Sequence, residues 1–144
     1  MTNQELLALA EEAKDHAYAP YSRYHVGAAL LCRDGTVYLG SNIENASYGA
    51  TNCAERTAFF KAIYDGKRDF DAIAIVGNAR DGAEDFCFPC GICRQIMLEF
   101  CDRDFRLLFH NEEGTVREFT LFQIIPFGFT PEHLATDESF PEEE

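Results

Sequence analysis

An α/β fold is predicted by three features of the chain: helical stripes of apolar residues, short β-compatible apolar runs between them, and turn-forming residues at the junctions. At 144 residues, with 47% hydrophobic and 26% charged residues, the chain suits one globular domain with a substantial core. That domain is placed at residues 1–134, and residues 135–144 read as an acidic C-terminal tail.

Thr2 is placed to cap a helix, and Glu5 stands three residues later as in a capping box. Leu6, Leu7, Leu9, Ala10, Ala13 and Ala17 then form an apolar stripe, so the first helix is expected to run to about Tyr18. Ala19-Pro20 breaks it, because proline disfavours helical geometry in the residue before it. Val26 to Cys32 is apolar and β-compatible, Asp34-Gly35 is a hairpin turn, and Thr36 to Gly40 completes an antiparallel pair. Ser41 to Asn52, rich in Asn, Ser, Gly and Thr, reads as a loop whose side chains are free for ligand contacts.

A second helix is expected from Cys53 to about Tyr64, ending before Asp65-Gly66, and Phe70 to Val76 reads as a buried strand. Asn78 to Pro89 is a polar connection. Ile92, Ile96, Met97 and Phe100 give the spacing of a third helix over Gly91 to Phe100. Arg106 to Phe109 and Thr115 to Thr120 read as further strands around an Asn111–Gly114 turn.

Charge narrows the function. The formal net charge is −13, and six acids fall in the last thirteen residues, where a solvated and partly disordered end is expected. A polynucleotide partner is disfavoured, since binding a phosphate backbone normally needs a basic stripe. An uncharged nucleoside would not be repelled. The longest strongly apolar run, Val26 to Cys32, falls far short of the roughly 18 residues that span a bilayer. The first residues lack the basic start of a secretory signal, so a cytoplasmic protein is expected.

Six cysteines in such a chain are metal ligands or plain thiols more often than disulfides. Cys53 and the pair Cys90 and Cys93 together read as one metal site. Three thiols make up most of a tetrahedral zinc shell, and a fourth position left to water distinguishes a catalytic site from a closed structural one. Cys53 and Cys90 fall at predicted helix starts, where the helix dipole favours a thiolate. Cys32, Cys87 and Cys101 read as small buried hydrophobes.

Cys53-Ala54-Glu55 followed by Pro89-Cys90-Gly91-Ile92-Cys93 fits a ligand-x-Glu stretch with Pro-Cys-x-x-Cys, the pattern of zinc deaminases. On these residues the chain resembles the small cytidine deaminases, from about Leu6 to Leu134. The resemblance implies a three-layer α/β/α fold with a five-stranded mixed sheet. It implies one Zn²⁺ per subunit, held by Cys53, Cys90 and Cys93, with Glu55 as the proton carrier in hydrolytic deamination of cytidine and deoxycytidine, a step of pyrimidine salvage. It also implies that Arg56 donates hydrogen bonds to ligand sulfurs, offsetting the net −1 charge of three thiolates on Zn²⁺.

For substrate, the resemblance points to Asn42 and Glu44 on the ribose hydroxyls and to Tyr24 against the base, where the family usually has Phe. Ala54, Tyr48 and Phe129 complete the implied substrate contacts. The family is usually homotetrameric, with Tyr48 and Phe129 matching residues that reach into a neighbouring subunit's pocket. Ile92 stands where alanine is usual, and Pro126-Phe127-Gly128-Phe129 departs from the commonest family wording.

Other readings explain less. Cys87-x-x-Cys90-x-x-Cys93 matches part of an iron–sulfur run, but Met97 occupies the fourth position. A redox Cys90–Cys93 pair leaves Cys53-Ala54-Glu55 unexplained. A structural zinc module needs a fourth ligand, and His16, His25, His110 and His133 lie outside the motifs, where they are expected at the surface or in hydrogen bonds. Arg94 is expected in a surface or interhelix ion pair. A deaminase of a nucleoside antibiotic such as blasticidin S is the alternative within the same chemistry.

Overall fold

A computed structural model describes residues 1–78, 84–111 and 113–134, with the side chains of residues 84 and 85 left aside. The tail at 135–144 therefore lies outside the described residues, as do residues 79–83 of the polar connection and Glu112 of the Asn111–Gly114 turn.

The first helix, α1, spans Asn3–Lys14, and its capping box forms: Glu5 N–H donates to Thr2 Oγ1 at 3.1 Å and Thr2 N–H to Glu5 Oε2 at 2.9 Å. It ends a turn earlier than its apolar spacing predicts. Tyr18 instead makes a strand-like bridge to Ile43, donating to the Asn42 carbonyl at 2.9 Å and accepting from Glu44 N–H at 2.8 Å. Pro20 disfavours helical geometry only at Ala19, whereas the helix already ends at Lys14, and the bridge satisfies the backbone groups of Tyr18.

Strands β1 (His25–Cys32) and β2 (Val37–Ser41) form the hairpin. Helix α2 (Ala54–Tyr64) leads to β3 (Phe70–Asn78), which pairs antiparallel with the other edge of β1. A two-residue strand β4 (Glu84–Asp85) adds to the end of β3 at Gly77 and Asn78. Helix α3 (Gly91–Phe100) carries the chain to β5 (Arg106–His110), parallel to β3, and β6 (Val116–Thr120) returns antiparallel to β5. The five principal strands thus run in the order β2-β1-β3-β5-β6, a mixed sheet with one parallel pair. The single-turn helix α4 (Leu121–Ile124) follows directly.

Strand alternation divides the core into two layers. Ala28, Leu30, Ile73, Ile75, Leu107 and Phe109 face Ala54, Ala58, Phe59 and Met97 of α2 and α3. Ala29, Ala72, Ala74, Val76 and Leu108 face Leu6, Leu7 and Ala10 of α1. The residues on the α1 side are smaller, and the helix comes very close. A Cβ at Gly27 would lie 2.0 Å from the Ala10 carbonyl oxygen, so only glycine fits there. On the other face Phe59 is fully buried, with Phe70 and Phe105 at ring distances of 5.2 and 6.1 Å. This packing anchors α2 to the sheet and so fixes where its first residue points.

Candidate metal centre and substrate pocket

Two helix starts meet at the site. Cys53 is the residue that caps α2 and Cys90 the residue that caps α3, both in extended backbone geometry, and Cys93 lies in the first turn of α3. The sulfurs of Cys53, Cys90 and Cys93 all lie within 4.8 Å of one another, and Cys53 Sγ stands 3.8 Å from Cys90 Sγ. An aromatic cluster holds the approach to Cys90: Phe88 packs on Phe109 at 4.8 Å and on Phe119 at 5.9 Å. Arg94 secures the same segment, donating to the Pro89 carbonyl at 2.9 Å and the Ile124 carbonyl at 2.6 Å. The expected ion pair is thus replaced by two backbone contacts, which a planar guanidinium with several donors is suited to make.

The donor set fits zinc. Three soft thiols converge, and a cation stands beside one of them: Arg56 Nη2 donates to Cys53 Sγ at 3.3 Å. Arg56 Nε is buried and has no partner among the described residues, so it remains a spare donor in the same guanidinium. Hydrogen bonding from Cys93 brings the Cys53 thiol down to about 5 against the opposing effect of burial, with Arg56 and Cys90 adding to the shift. Cys93, donating to that sulfur and buried, is pushed well above the ordinary thiol range.

Glu55 follows Cys53 by two residues and is only 4% exposed. Burial pushes its carboxyl up to about 7, and the nearby Cys53 charge acts in the same direction. A carboxyl balanced near neutrality can both take and give a proton. Ala54, between them, is fully buried at the first position of α2.

Of the remaining predicted residues, Asn42 and Tyr24 are joined by a hydrogen bond and Glu44 and Tyr48 line one cavity, while Phe129 lies apart. Asn42 is buried, its Oδ1 accepting from Val26 N–H at 2.9 Å and its Nδ2 donating to the Tyr24 carbonyl at 2.8 Å. Glu44 Oε1 accepts from Tyr21 N–H at 2.9 Å and Ser22 N–H at 3.0 Å, while Oε2 accepts from the Ser22 hydroxyl. Partial desolvation raises the Glu44 pKa, but these hydrogen bonds outweigh it and the net shift is downward. Glu44, Tyr21, Ser22, Tyr48 and Thr51 line a cavity of about 410 Å³. The Ile43–Asn52 bridge joins this segment to the residue preceding Cys53.

Tyr48 is exposed at the rim, its ring edge-to-face with Tyr21 at a centroid distance of 6.1 Å. Phe129 is not brought into this cavity; it is exposed and stacks on His133 at 5.3 Å, its carbonyl accepting from Gln95 at 2.8 Å. A larger cavity of about 750 Å³ lies between the end of α3 and the 121–133 segment, and neither cavity is lined by a cysteine of the cluster.

Cys87 lies beneath Tyr24. A Cβ at Gly77 would be 2.9 Å from Cys87 Sγ and 3.0 Å from Tyr24 Cε1, so this glycine makes room for both. Burial pushes the Cys87 thiol up to about 12, in keeping with a neutral thiol and outside the metal cluster. Cys32 and Cys101 are likewise raised by burial, and all six cysteines are free. Sequence reasoning missed Ser22 and the backbone-clasping role of Arg94. Arg94 directly follows Cys93 of the Pro-Cys-x-x-Cys stretch, whereas no local pattern marks Ser22.

Comparison with known proteins agrees with this geometry. The family described as the cytidine and deoxycytidylate deaminase zinc-binding region matches residues 1–108. A cytidine deaminase of Halalkalibacterium halodurans is 48% identical over 93% of this chain and 98% of its own length. One of Sporosarcina psychrophila is 45% identical over 94% and 96%. The crystal structure of a cytidine deaminase from Burkholderia pseudomallei superposes with a TM-score of 0.83 at 44% identity, covering 90% of this chain and all of that one. With a three-cysteine cluster on paired helix starts and matches along nearly its whole length, the chain belongs to the cytidine and deoxycytidylate deaminase family.

Proposed function

We propose that this chain hydrolyses cytidine and deoxycytidine to uridine and deoxyuridine with release of ammonia, as an enzyme of pyrimidine salvage. The observation that carries the reading is a buried Glu55, held near neutrality, beside three converging cysteine sulfurs. Cys53, Cys90 and Cys93 hold the metal. Zinc, when bound, supplies the Lewis acidity that makes water nucleophilic near neutral pH.

In the net reaction an oxygen from water joins C4 of the base, the bond from C4 to the exocyclic nitrogen breaks, and that nitrogen leaves as ammonia. Glu55 moves the protons: it accepts one from the water, delivers it to N3, and assists proton delivery to the departing nitrogen. Arg56 draws charge from the Cys53 sulfur, and the first-turn N–H groups of α2 and α3 act in the same direction. Asn42 and Glu44 orient the sugar through its hydroxyls, Tyr24 packs against the base, and Ala54 lies at the helix start beside it. The carboxylate Glu44 suits an uncharged sugar better than a phosphorylated one.

The functional unit proposed is a homotetramer of a single domain, residues 1–134, in which Tyr48 and Phe129 serve a neighbouring pocket. Exposure of Tyr48 at 76%, Phe127 at 96% and Ile92 at 60% supports burial of this surface on assembly. A cytoplasmic location is supported by the free thiols and by the absence, among the described residues, of a helix long and apolar enough to cross a membrane.

The test is ammonia release from purified, zinc-replete protein given cytidine, deoxycytidine, cytosine or blasticidin S. Release from the first two alone is expected. Release from blasticidin S alone assigns the antibiotic-nucleoside reading instead, and no release from any of the four refutes the deaminase assignment.

A further inference from the structure

We propose that Ser22 is a positioning residue that couples the sugar-binding carboxylate to the aromatic ring placed against the base. The inference rests on the reading of Glu44 as a sugar contact. One hydroxyl has a donor and two acceptor positions, and here both capacities are used. Ser22 Oγ donates to Glu44 Oε2 and accepts from Tyr24 N–H at 3.0 Å. The same residue's backbone N–H donates to Glu44 Oε1 at 3.0 Å, so Ser22 holds both oxygens of the carboxylate.

Tyr24 is thereby fixed at both ends of its backbone. Its N–H goes to Ser22 and its carbonyl accepts from Asn42 Nδ2 at 2.8 Å. Ser22 therefore closes a network containing three of the residues assigned to the substrate: Asn42, Glu44 and Tyr24. Between Ser22 and Tyr24 lies Arg23 with φ 58, the one non-glycine residue of positive φ among the described residues. Such a conformation persists where its surroundings over-determine it, and here the Ser22 hydroxyl spans the residue while Arg23 N–H donates to the Ala19 carbonyl at 3.0 Å. Ser22 and Glu44 both line the 410 Å³ cavity, so the bond between them faces the space offered to ligand.

Without the hydroxyl, Glu44 keeps two backbone donors but Oε2 is free to turn, and the Tyr24 N–H loses its acceptor. Sugar recognition suffers before chemistry does.

The experiment measures kcat and KM for cytidine and 2′,3′-dideoxycytidine in the zinc-loaded wild type, Ser22→Ala, Ser22→Thr and Glu44→Gln, with thermal melts beside them. Ser22→Ala is expected to raise KM for cytidine by about tenfold, the order of one charge-assisted hydrogen bond, with kcat within about threefold of wild type. KM for the dideoxy substrate, which lacks the 2′- and 3′-hydroxyls but keeps the base that Tyr24 packs against, rises by no more than about threefold, and Ser22→Thr restores cytidine KM. Equal loss on both substrates, an unchanged cytidine KM in Ser22→Ala, or a Ser22→Thr that behaves like alanine with an unchanged melt overturns the role given to Ser22. If Glu44→Gln keeps the full preference for cytidine over the dideoxy substrate, the sugar contact itself is refuted, whatever Ser22→Ala does.

Discussion

Arg56 Nη2 donates to the Cys53 sulfur across 3.3 Å, so a fixed cation and a metal-binding thiol share one helix start. Three thiolates would otherwise leave a divalent metal over-supplied with negative charge. The guanidinium withdraws part of that charge, adding to the hydrogen bond from Cys93 that chiefly lowers the Cys53 thiol. Replacing Arg56 with Gln removes the charge while retaining a polar side chain. The expected loss is roughly ten- to hundredfold in zinc affinity or turnover, the usual range for groups that support metal ligands. Competition with a chelator and steady-state kinetics check it.

Gly27 tests the sheet that carries the site. A Cβ there meets the Ala10 carbonyl oxygen at 2.0 Å and the Lys14 nitrogen at 2.4 Å, both of them backbone atoms that move only with the whole of α1. Gly27→Ala is expected to cost about 3 kcal/mol, the upper part of the range for overpacking. Gly49→Ala, where a Cβ has nothing within 4 Å, serves as the control and should change little. Urea unfolding of both variants measures the difference.

Glu44 predicts a pH dependence. Its folded pKa lies below the ordinary 4.5, so its contribution to stability is present above the unfolded value and disappears as pH falls through the folded one. The melting-temperature gap between wild type and Glu44→Gln is therefore expected to be widest near neutrality and to close below pH 4.5. Melts across that range decide it. A gap that widens on acidification has the wrong sign.

The proposed tetramer makes Phe127 a test of assembly. Its side chain is 96% exposed on the segment after α4. Phe127→Asp should remain folded yet sediment as smaller species, because a charge buried at an interface without a partner is costly. A wild-type chain that sediments as a monomer would remove the assembly and the cross-subunit roles of Tyr48 and Phe129 together.

Much of this arrangement was legible before any coordinates. The spacing of Cys53, Glu55, Cys90 and Cys93 is local to two helix starts, and α3 falls on the predicted residues because Ile92, Ile96, Met97 and Phe100 keep helical spacing. Where long-range pairing decided, the sequence was silent or misleading. Ala17 continues the stripe of α1, yet Tyr18 bonds across to the Ile43 segment. The acidic pair Glu84–Asp85 shows no strand pattern, and its pairing comes from the free end of β3. Arg94 meets Ile124 across 30 residues, and Ser22 meets Glu44 across 22. Contacts between residues so far apart leave no mark in local periodicity.

Glu55 is proposed to move protons without binding the metal. The most direct measurement is zinc content and cytidine turnover determined together for Glu55→Gln and Cys90→Ala. Glu55→Gln should keep about one zinc per chain and lose turnover by at least about a hundredfold, since proton transfer by a positioned side chain is worth that much. Cys90→Ala should lose zinc and turnover alike. Equal zinc loss in both variants, or full turnover in Glu55→Gln, would contradict the account.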